Sequence, residues 1–353
     1  MKFEYSIYNE IKRYLEENNY PSFRFKQIID GIFKQCSTNF SEVKGLPKKL
    51  QEELDSKFKI SDMNLIEEEK SGNTIKFLMK TKDGNAIETV LMEHRDGRKT
   101  VCLSSQIFCA LGCTFCATGA NKFARNLTTQ EILEQALFVQ RSLKKRDERI
   151  TNIVFMGMGE PFLNYNNVIE TVRILNDPNF FNIGARHITV STSGIVPRIY
   201  DYADFELQTR LAISLHAPND KLRTEIMPIN KGYPLKSLME SCDNFVEKTN
   251  KRISYEYVLI KNINDSPKHA IQLINLLKDR LAHVNLLIYN PHEFAEYEMP
   301  EKETVLRFRD MLKAQNIEVS IRKSMGDDIS GACGQLSGKV VRKGFEKEYL
   351  SQT

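Results

Sequence analysis

Long apolar runs and a secretory leader are both missing from this sequence. No stretch comes near the ~18 consecutive apolar residues that a membrane helix requires. The first twenty residues, MKFEYSIYNEIKRYLEENNY, contain no apolar core and no small-residue cleavage site, so they do not indicate a secretory signal. We therefore expect no membrane association and a cytoplasmic location, where glutathione keeps thiols reduced.

Cysteine is scarce and unevenly placed. The 353 residues contain seven cysteines, and this odd number argues against a closed disulfide framework. Three of them, Cys109, Cys113 and Cys116, lie within eight residues in the segment FCALGCTFCATG. In a reducing compartment such a group is typical of a metal site or a catalytic site. The net charge of +4 leans only weakly towards polyanionic partners.

The chain divides into an N-terminal helical part and a larger part of alternating strands and helices. We predict an accessory domain over residues 1–75, a β segment over 76–100, and the main domain over 101–345. In the first part, apolar residues recur at helical spacing in YNEIKRYLEENN, FRFKQIIDGIFKQ and LPKKLQEELDSKF. In the β segment, a Lys-Asp-Gly-Asn turn separates two strand-like runs.

The main domain has the pattern of a parallel sheet. Short apolar strands alternate with helices, and the predicted strands are TVCLSSQ, NIVFMGMG, HITVSTSG, LAISLHA, SYEYVLI, HVNLLIYN and EVSIRKS. One intervening helix begins with Thr128 and Glu131 at the spacing of a capping box. Six or seven such units predict an α/β fold, a full or partial TIM-like barrel. In a barrel the chemistry lies at the carboxyl ends of the strands, and the unusual residues of this sequence follow strand ends.

The spacing CxxxCxxC favours an iron–sulfur cluster over zinc. A structural zinc site needs four protein ligands, so the three cysteines would have to recruit His216 or His94, and this Cys3His alternative stays open. A 4Fe–4S cluster held by three cysteines keeps one iron without a protein ligand. That iron can chelate S-adenosylmethionine (SAM). A CxxxCxxC motif after the first strand of a β/α barrel resembles the signature of the radical SAM superfamily.

Residues at the other strand ends are candidates to hold SAM. In MGMGEP, Gly159 allows a close backbone approach and Glu160 offers a carboxylate to the ammonium group, although a tight turn explains the glycine equally well. His216 taken alone is more often a structural residue, and Asn290 is suited either to read an adenine edge or to cap a turn. The complete set of candidates is Gly159, Glu160, Ser191, Ser214, Leu215, His216 and Asn290.

Ordered motifs along nearly the whole chain resemble the RlmN/Cfr family of radical SAM RNA methyltransferases. They include CLSSQ, CALGCTFCATG, RNLTTQEILEQ, MGMGEPFLNYNNV, STSGIVP, LAISLHAPND, NLLIYNP and DDISGACGQLSG. The resemblance implies a 4Fe–4S cluster on Cys109, Cys113 and Cys116, with SAM as the second cofactor. It implies an adenosine of 23S rRNA, at the peptidyl-transferase centre, as the substrate, and for RlmN-type members certain tRNAs as well.

The same resemblance implies roles for two outlying cysteines and one glutamate. Cys333 in GACGQL corresponds to the residue that accepts a methyl group from one SAM, and a radical made from a second SAM then abstracts hydrogen from that S-methyl group. Cys102 corresponds to the residue that removes the ring proton and joins Cys333 in a transient disulfide. Glu88 in IETV corresponds to a proton acceptor. A flavodoxin- or ferredoxin-type partner supplies the electron, and a monomer suffices for catalysis.

Two residues depart from the family pattern. Phe108 precedes the first cluster cysteine where members usually carry glycine, which alters the approach to that loop. Gly331 stands where alanine is usual and should loosen the loop of Cys333. Neither change removes a reactive group, so we expect activity.

The methylated ring carbon is predicted from the barrel. MGMGEPFLNYNNV, STSGIVP and GDDI resemble RlmN members, which methylate carbon 2. The helical stretch at residues 8–35 and HVNLLIYNP are closer to Cfr, which methylates carbon 8 and confers antibiotic resistance. Because barrel residues surround the reacting base, we predict carbon 2 and keep carbon 8 as the alternative. A radical SAM enzyme for a small molecule or peptide, and a zinc-stabilised RNA-binding protein, are more remote alternatives.

The accessory domain is also a candidate RNA-binding surface. Its aromatic residues Phe23 and Phe25 are either base-stacking residues or part of the domain's own core. Basic residues there and in the main domain are candidate phosphate contacts, with plain surface charge as the alternative; they are Arg24, Lys26, Arg125, Lys144, Lys145 and Arg146.

Overall fold

The computed structural model describes residues 7–322 and 325–337, so the predicted domain ends at residues 1–6 and 338–345 lie outside the described residues. Ten of the described strands form one sheet in the order β1-β2-β3-β4-β7-β8-β9-β10-β11-β12, and β5 pairs with β6. The strands are β1 (Asn64–Ser71), β2 (Thr74–Lys80), β3 (Ala86–Glu93), β4 (Lys99–Cys102), β5 (Gln106–Ile107), β6 (Arg125–Asn126), β7 (Asn152–Phe155), β8 (Ile188–Thr192), β9 (Arg210–Ser214), β10 (Ile253–Leu259), β11 (Ala282–Ile288) and β12 (Glu318–Arg322).

The parallel half of the sheet runs from β4 to β12. Each successive pair, beginning with β4 and β7, is parallel. All seven strands predicted for the main domain are confirmed; β10 is as long as its predicted run, and the others are shorter. β1 and β12 are the two ends of the strand order within the described part of the chain, so the sheet forms a partial barrel. This agrees with the predicted α/β barrel class and selects its partial form.

The antiparallel half continues the same sheet instead of forming a separate unit. β2 and β3 pair in register on either side of the predicted Lys-Asp-Gly-Asn turn, and β3 pairs with β4 of the barrel. β1 lies within residues 1–75, the range predicted for the accessory domain, and it pairs with β2. The β strands upstream of the barrel therefore connect the helical part directly to the first barrel strand.

Ten α-helices complete the described fold. They are α1 (Ile7–Glu17), α2 (Phe23–Phe33), α3 (Lys48–Lys57), α4 (Thr129–Lys144), α5 (Tyr165–Asn176), α6 (Val196–Ala203), α7 (Asp220–Ile226), α8 (Leu235–Thr249), α9 (Pro267–Leu277) and α10 (Lys302–Lys313). The capping box at the start of α4 is confirmed, because Thr128 Oγ1 accepts from the Glu131 N–H and Glu131 accepts from the Thr128 N–H. No described helix is both long enough and apolar enough to cross a membrane.

The helical part and the barrel share one hydrophobic core. Buried residues of a single cluster extend from Tyr8 in α1 to Ile317 before β12. At the boundary, the rings of Tyr8 and Phe33 both contact Phe180, which follows α5. The buried carboxylate of Glu134 in α4 also accepts hydrogen bonds from the segment that leads into β1. The accessory helices are thus fixed against the barrel.

Candidate active site

A cavity of about 780 Å³ lies along the inner face of the parallel strands. It reaches from strand starts such as Asn152 and Arg210 to residues beyond strand ends such as Ser193 and Asn290. Its volume is in the range of small-molecule and cofactor sites. Eleven of the predicted site residues line it: Cys102, Cys109, Cys113, Cys116, Gly159, Glu160, Ser191, Ser214, His216, Asn290 and Cys333. Leu215 and Glu88 do not.

The three clustered cysteines lie on a loop that is held at several points. The Thr114 N–H donates to the Ile226 carbonyl at 3.0 Å, and His292 Nε2 lies 3.0 Å from the Phe115 carbonyl oxygen. The Ala117 N–H donates to the Gly334 carbonyl at 2.8 Å, which joins this loop to the loop of Cys333. The cysteine loop is therefore fixed by contacts from three other parts of the chain.

The donor set of this loop fits an iron–sulfur cluster. Burial raises the pKa of Cys109 to about 12 and raises that of Cys113 well above its ordinary value, and the neighbouring thiols of the group add to both shifts. Within residues 7–322 and 325–337, no three His, Cys, Asp or Glu side chains lie around one point that could hold a single metal ion. A 4Fe–4S cluster does not need that convergence, because each thiolate binds a different iron.

Gly159 and Glu160 form a tight corner after β7. Gly159 has φ of +95°, and an added Cβ would lie 2.4 Å from Gln106 Cβ, so no larger residue fits there. The two oxygens of the buried Glu160 carboxylate accept from the Phe162 N–H at 2.9 Å and the Ser193 N–H at 2.7 Å. Burial raises the pKa of Glu160. The corner thus holds its carboxylate in a fixed orientation on the cavity wall.

His216 is a neutral, fixed imidazole. Its Nδ1 accepts from the Val258 N–H at 3.0 Å, and its ring packs edge-on against Phe115 of the cysteine loop, with 4.9 Å between the ring centroids. Burial lowers its pKa to about 3. Because Nδ1 is an acceptor, the proton of the neutral ring is on Nε2.

Leu215 contributes its backbone to a network that sequence reasoning missed. Its side chain is fully buried, and its carbonyl accepts from Arg223 Nε at 3.1 Å. The same guanidinium donates to the carbonyls of Ser193 at 2.6 Å and Ser214 at 3.2 Å. Arg223 therefore ties together the ends of β8 and β9, where several predicted SAM contacts lie. In the sequence it resembles an ordinary helix arginine, and no local signal marks it.

A polar row across β9, β10, β11 and β12 was also missed. Glu256 is in register with Ser214 and Asn285, and Asn285 is in register with Ser320. Asn285 donates to Glu256 Oε1 and accepts from Ser320 Oγ, both at 2.8 Å. Ser214 and Glu256 line the cavity, and Asn285 and Ser320 extend the row behind Glu256 by hydrogen bonds.

Two buried polar atoms near this row are suited to a ligand. Glu256 Oε2 and the Tyr289 hydroxyl belong to cavity-lining residues, and neither has a hydrogen-bond partner within the described part of the chain. An unsatisfied buried polar atom costs about 1–3 kcal/mol. A bound molecule with hydroxyl, amine or amide groups would satisfy them, which fits SAM as an occupant.

Cys102 and Cys333 lie on the wall of the same cavity. Burial raises the pKa of Cys102 to about 12, and the proximity of Cys333 contributes to the rise. Cys333 is open to the cavity, while the surrounding walls desolvate its thiol and raise its pKa. The positive charge of Arg322 opposes both shifts, and its guanidinium lies 3.9 Å from Glu256 Oε1. Two thiols and one cation thus lie close together.

Glu88 does not line the main cavity; it lines a smaller one of about 110 Å³. Its carboxylate is 3.5 Å from Lys76 Nζ and accepts from the Ser337 N–H at 2.8 Å. The residue to which the resemblance gives the role of proton acceptor therefore contacts Lys76 and the loop that follows Cys333.

The two departures from the family pattern have different structural settings. Phe108 has φ of +59°, a left-handed conformation that glycine adopts without strain, and its ring packs against the core. At Gly331, an added Cβ would lie 3.3 Å from the Gly326 carbonyl oxygen, so alanine fits with a small adjustment.

The candidate RNA contacts are partly engaged in other interactions. Arg125 pairs with Asp83 and Glu131, each at 2.7 Å, and Arg146 pairs with Glu93. Phe23 is 53% exposed, and the guanidinium of Arg24 lies 4.7 Å from the centre of its ring. Phe25 instead packs against the core. The exposed aromatic at α2 is therefore Phe23.

Comparisons with known proteins identify the family of this chain. Residues 103–274 match the radical SAM superfamily. Proteins named "Probable dual-specificity RNA methyltransferase RlmN" from Dictyoglomus thermophilum and Bacillus velezensis are 45% and 44% identical to this chain; the alignments cover 95% of it in both cases, and 96% and 93% of those proteins. A crystal structure of a radical SAM methyltransferase from Sphaerobacter thermophilus matches with a TM-score of 0.92 at 42% identity, over 95% of this chain and 99% of that one. The chain therefore belongs to the RlmN/Cfr family of radical SAM methyltransferases.

Proposed function

We propose that this protein methylates carbon 2 of an adenosine in 23S rRNA, and an adenosine in tRNA as well. The observation that carries the proposal is that Cys102 and Cys333 lie on the wall of the cavity that the CxxxCxxC loop also lines. A radical SAM enzyme for a small molecule or a peptide needs the loop but has no use for this pair of thiols. The similar bacterial proteins are named as RNA methyltransferases, which supports RNA as the substrate.

The cofactors of the radical SAM family are a 4Fe–4S cluster and SAM. Cys109, Cys113 and Cys116 would hold the cluster, and each must lose its proton to do so. The residues proposed to hold SAM are Gly159, Glu160, Ser191, Ser214, His216 and Asn290, with Leu215 contributing through its backbone. When bound, the two cofactors supply a methyl group and the one-electron cleavage of SAM.

The two cysteines of the chain would carry the methyl group to the base. Carbon 2 of adenine and the methyl group of SAM are both electrophilic, so direct transfer between them has the wrong polarity. The methyl group would first move to a nucleophilic sulfur, and Cys333 is the accessible thiol on this wall. Cys102 would accept the ring proton and then bond to the Cys333 sulfur. This breaks the bond between that sulfur and the methylene carbon on the base, and the carbon takes up a proton to become the methyl group. Arg322 favours the thiolate form of both residues, because its charge opposes the rise of their pKa values.

The remaining features of the proposal follow from the substrate. A target adenine must leave its base stack to enter a cavity, which is easiest in a loop of the RNA. The protein would act in the cytoplasm, where ribosomes are assembled, with a flavodoxin- or ferredoxin-type electron donor. The choice of carbon 2 over carbon 8 rests on the RlmN-like barrel motifs, among them MGMGEP and STSG, which contribute residues to the cavity wall.

The carbon can be assigned by mass spectrometry of nucleosides. The protein would be expressed in a host that lacks its own carbon-2 and carbon-8 enzymes, and digested rRNA and tRNA would be compared with 2-methyladenosine and 8-methyladenosine standards. We expect 2-methyladenosine. Appearance of 8-methyladenosine would replace carbon 2 by carbon 8. If neither appears from protein shown to carry its cluster, the proposed substrate is wrong.

The role of Cys333 can be tested in the same assay. We expect Cys333→Ala to abolish RNA methylation while SAM cleavage continues, because the variant lacks only the methyl carrier. The matched control is Cys36→Ala, a half-buried cysteine of the accessory helices, which should methylate at the wild-type rate. Methylation by the Cys333→Ala protein would exclude the S-methyl route.

A further inference from the structure

Lys76 is a buried lysine on the strand next to Glu88. It is 6% exposed, and lysine is almost never buried without a charged partner. Its Nζ pairs with Glu88 at 3.5 Å and with Glu69 on β1 at 2.5 Å. Lys76 is in register with Val90, so Glu88 is its diagonal neighbour on the same face of the β2–β3 pair. The sheet therefore places a buried ion pair at this point.

Both members of this pair also bind the loop that carries Cys333. Lys76 Nζ donates to the Ile329 carbonyl at 2.6 Å, four residues before Cys333. Glu88 Oε2 accepts from the Ser337 N–H at 2.8 Å, four residues after it. Cys333 is thus at the middle of a nine-residue segment whose two ends are attached to the same ion pair.

The loop of Cys333, residues 325–337, makes few other contacts with strands β1 to β3. It contains glycine at positions 326, 331 and 334, and fixing the backbone of each residue costs about 1–2 kcal/mol of conformational free energy. On this side, contacts within the described residues include a hydrogen bond between Ser71 and Asp328, the packing of Gly326 against Thr74, and the packing of Leu336 in a cluster with Val90 and Cys102. Loss of the ion pair would remove the attachments of residues 329 and 337 to the β2–β3 pair and would leave the contact between Ala117 and Gly334 in place.

We propose that Lys76 is a positioning residue for Cys333: with Glu88 it forms a clamp that holds both ends of the segment 329–337, so that the Cys333 thiol faces Cys102 in the cavity. This gives Glu88 a structural part in the reaction in addition to, or in place of, the proton-acceptor role implied by the family resemblance. The inference rests on the proposed function, because it takes Cys102 and Cys333 as the reacting thiols.

The test measures thiol pairing instead of methylation. Cluster-loaded protein is treated anaerobically with diamide, which removes one hydrogen from each of two thiols, and the Cys102–Cys333 disulfide is followed by peptide mass spectrometry. We expect Lys76→Met to slow this disulfide by about tenfold, because the effective concentration of one thiol near the other falls when the loop is released. Alkylation of Cys333 by iodoacetamide should become faster in the same variant. Lys76→Arg, which keeps the charge, should restore most of both rates.

A matched control and a second variant separate the clamp from general stability. Lys99 on β4 also pairs with two glutamates, Glu93 and Glu148, so Lys99→Met removes a similar network without touching residues 325–337. It should pair its thiols at the wild-type rate. If Lys76→Met does not fold because Glu88 is left buried without its partner, the double variant Lys76→Met/Glu88→Gln removes both charges together.

Each outcome bears on one of the two proposals. Wild-type rates of disulfide formation and alkylation in a folded Lys76→Met protein, or in the double variant, would overturn the clamp. If the wild-type protein itself forms no Cys102–Cys333 disulfide, the proposed pairing of these thiols fails. In that case the alkylation rate of Cys333, compared between Lys76→Met and Lys99→Met, still decides whether Lys76 holds the loop.

Discussion

Phe108 has a backbone conformation that usually belongs to glycine, directly before the first cluster cysteine. With φ of +59°, a residue that carries a Cβ is strained by about 1–2 kcal/mol. Its ring packs against two hydrophobic clusters, which offsets part of that strain. Packing of the ring therefore stabilises phenylalanine at this position, and the left-handed backbone conformation destabilises it.

This balance predicts an unusual order of stability for two truncations. In ordinary positions glycine is less stable than alanine by roughly 0.5–1 kcal/mol. At position 108 both variants lose the ring, but only Phe108→Ala keeps the left-handed strain, so we expect Phe108→Gly to be more stable than Phe108→Ala by about 1 kcal/mol. Urea unfolding at fixed pH measures the difference. Equal stability, or a more stable alanine variant, would mean that the loop has no such strain.

The elements show which features a sequence can reveal. The inner barrel strands could be predicted because a strand buried on both faces is a continuous apolar run, and each predicted run begins close to where its strand begins. Lys76, Arg223 and Glu256 could not, since a charged residue in a one-dimensional pattern resembles a solvated one. Their partners are distant along the chain, and only the fold brings them together. The approach of Cys102 to Cys333 was implied by family resemblance alone.

Arg223 illustrates how one such residue determines the geometry of strand ends. It is fully buried and donates to carbonyls at the ends of both β8 and β9, as well as to Asn230. Burial lowers its pKa to about 10, which leaves it positively charged at neutral pH. A lysine has the charge but not the planar set of donors, so it cannot serve all of these acceptors at once.

We expect Arg223→Lys to lower the free energy of unfolding by about 2–3 kcal/mol, because buried carbonyls lose their donors. SAM affinity, measured by calorimetry at a temperature where the variant is folded, should fall as well, since the strand ends form part of the cavity wall. The control is Arg198→Lys on α6, an exposed arginine paired with Asp201, for which we expect a change within about 0.5 kcal/mol. Similar stabilities for the two variants would contradict the role given to Arg223.

At the scale of the whole molecule, the accessory helices and the barrel are parts of one structure. They share a hydrophobic cluster, and the carboxylate of Glu134 joins α4 to the segment before β1. A change in the protonation of a group buried in the barrel therefore acts on the stability of the complete fold. His216 is the buried histidine at the centre of the site, with a pKa lowered to about 3 by burial.

This shift predicts how stability depends on pH. Unfolding exposes His216 to water, where the pKa of histidine is near 6.5. Below that pH the unfolded chain binds a proton at this residue and the folded chain does not. The contribution is complete above about pH 6.5 and is lost as the pH falls towards 3. Between pH 7 and 5, His216 should contribute a loss of about 2 kcal/mol to the free energy of unfolding. Buried glutamates such as Glu160, whose pKa is raised, contribute in the opposite direction, so the His216 contribution is read from the difference between the wild type and a His216 variant. Urea unfolding at both pH values measures this loss.

His216→Asn, which tolerates the left-handed φ of +56° at this position, should reduce the loss by that amount. His187→Asn, at an exposed histidine, should not. An unchanged pH dependence in His216→Asn would show that this ring accepts a proton in the folded protein.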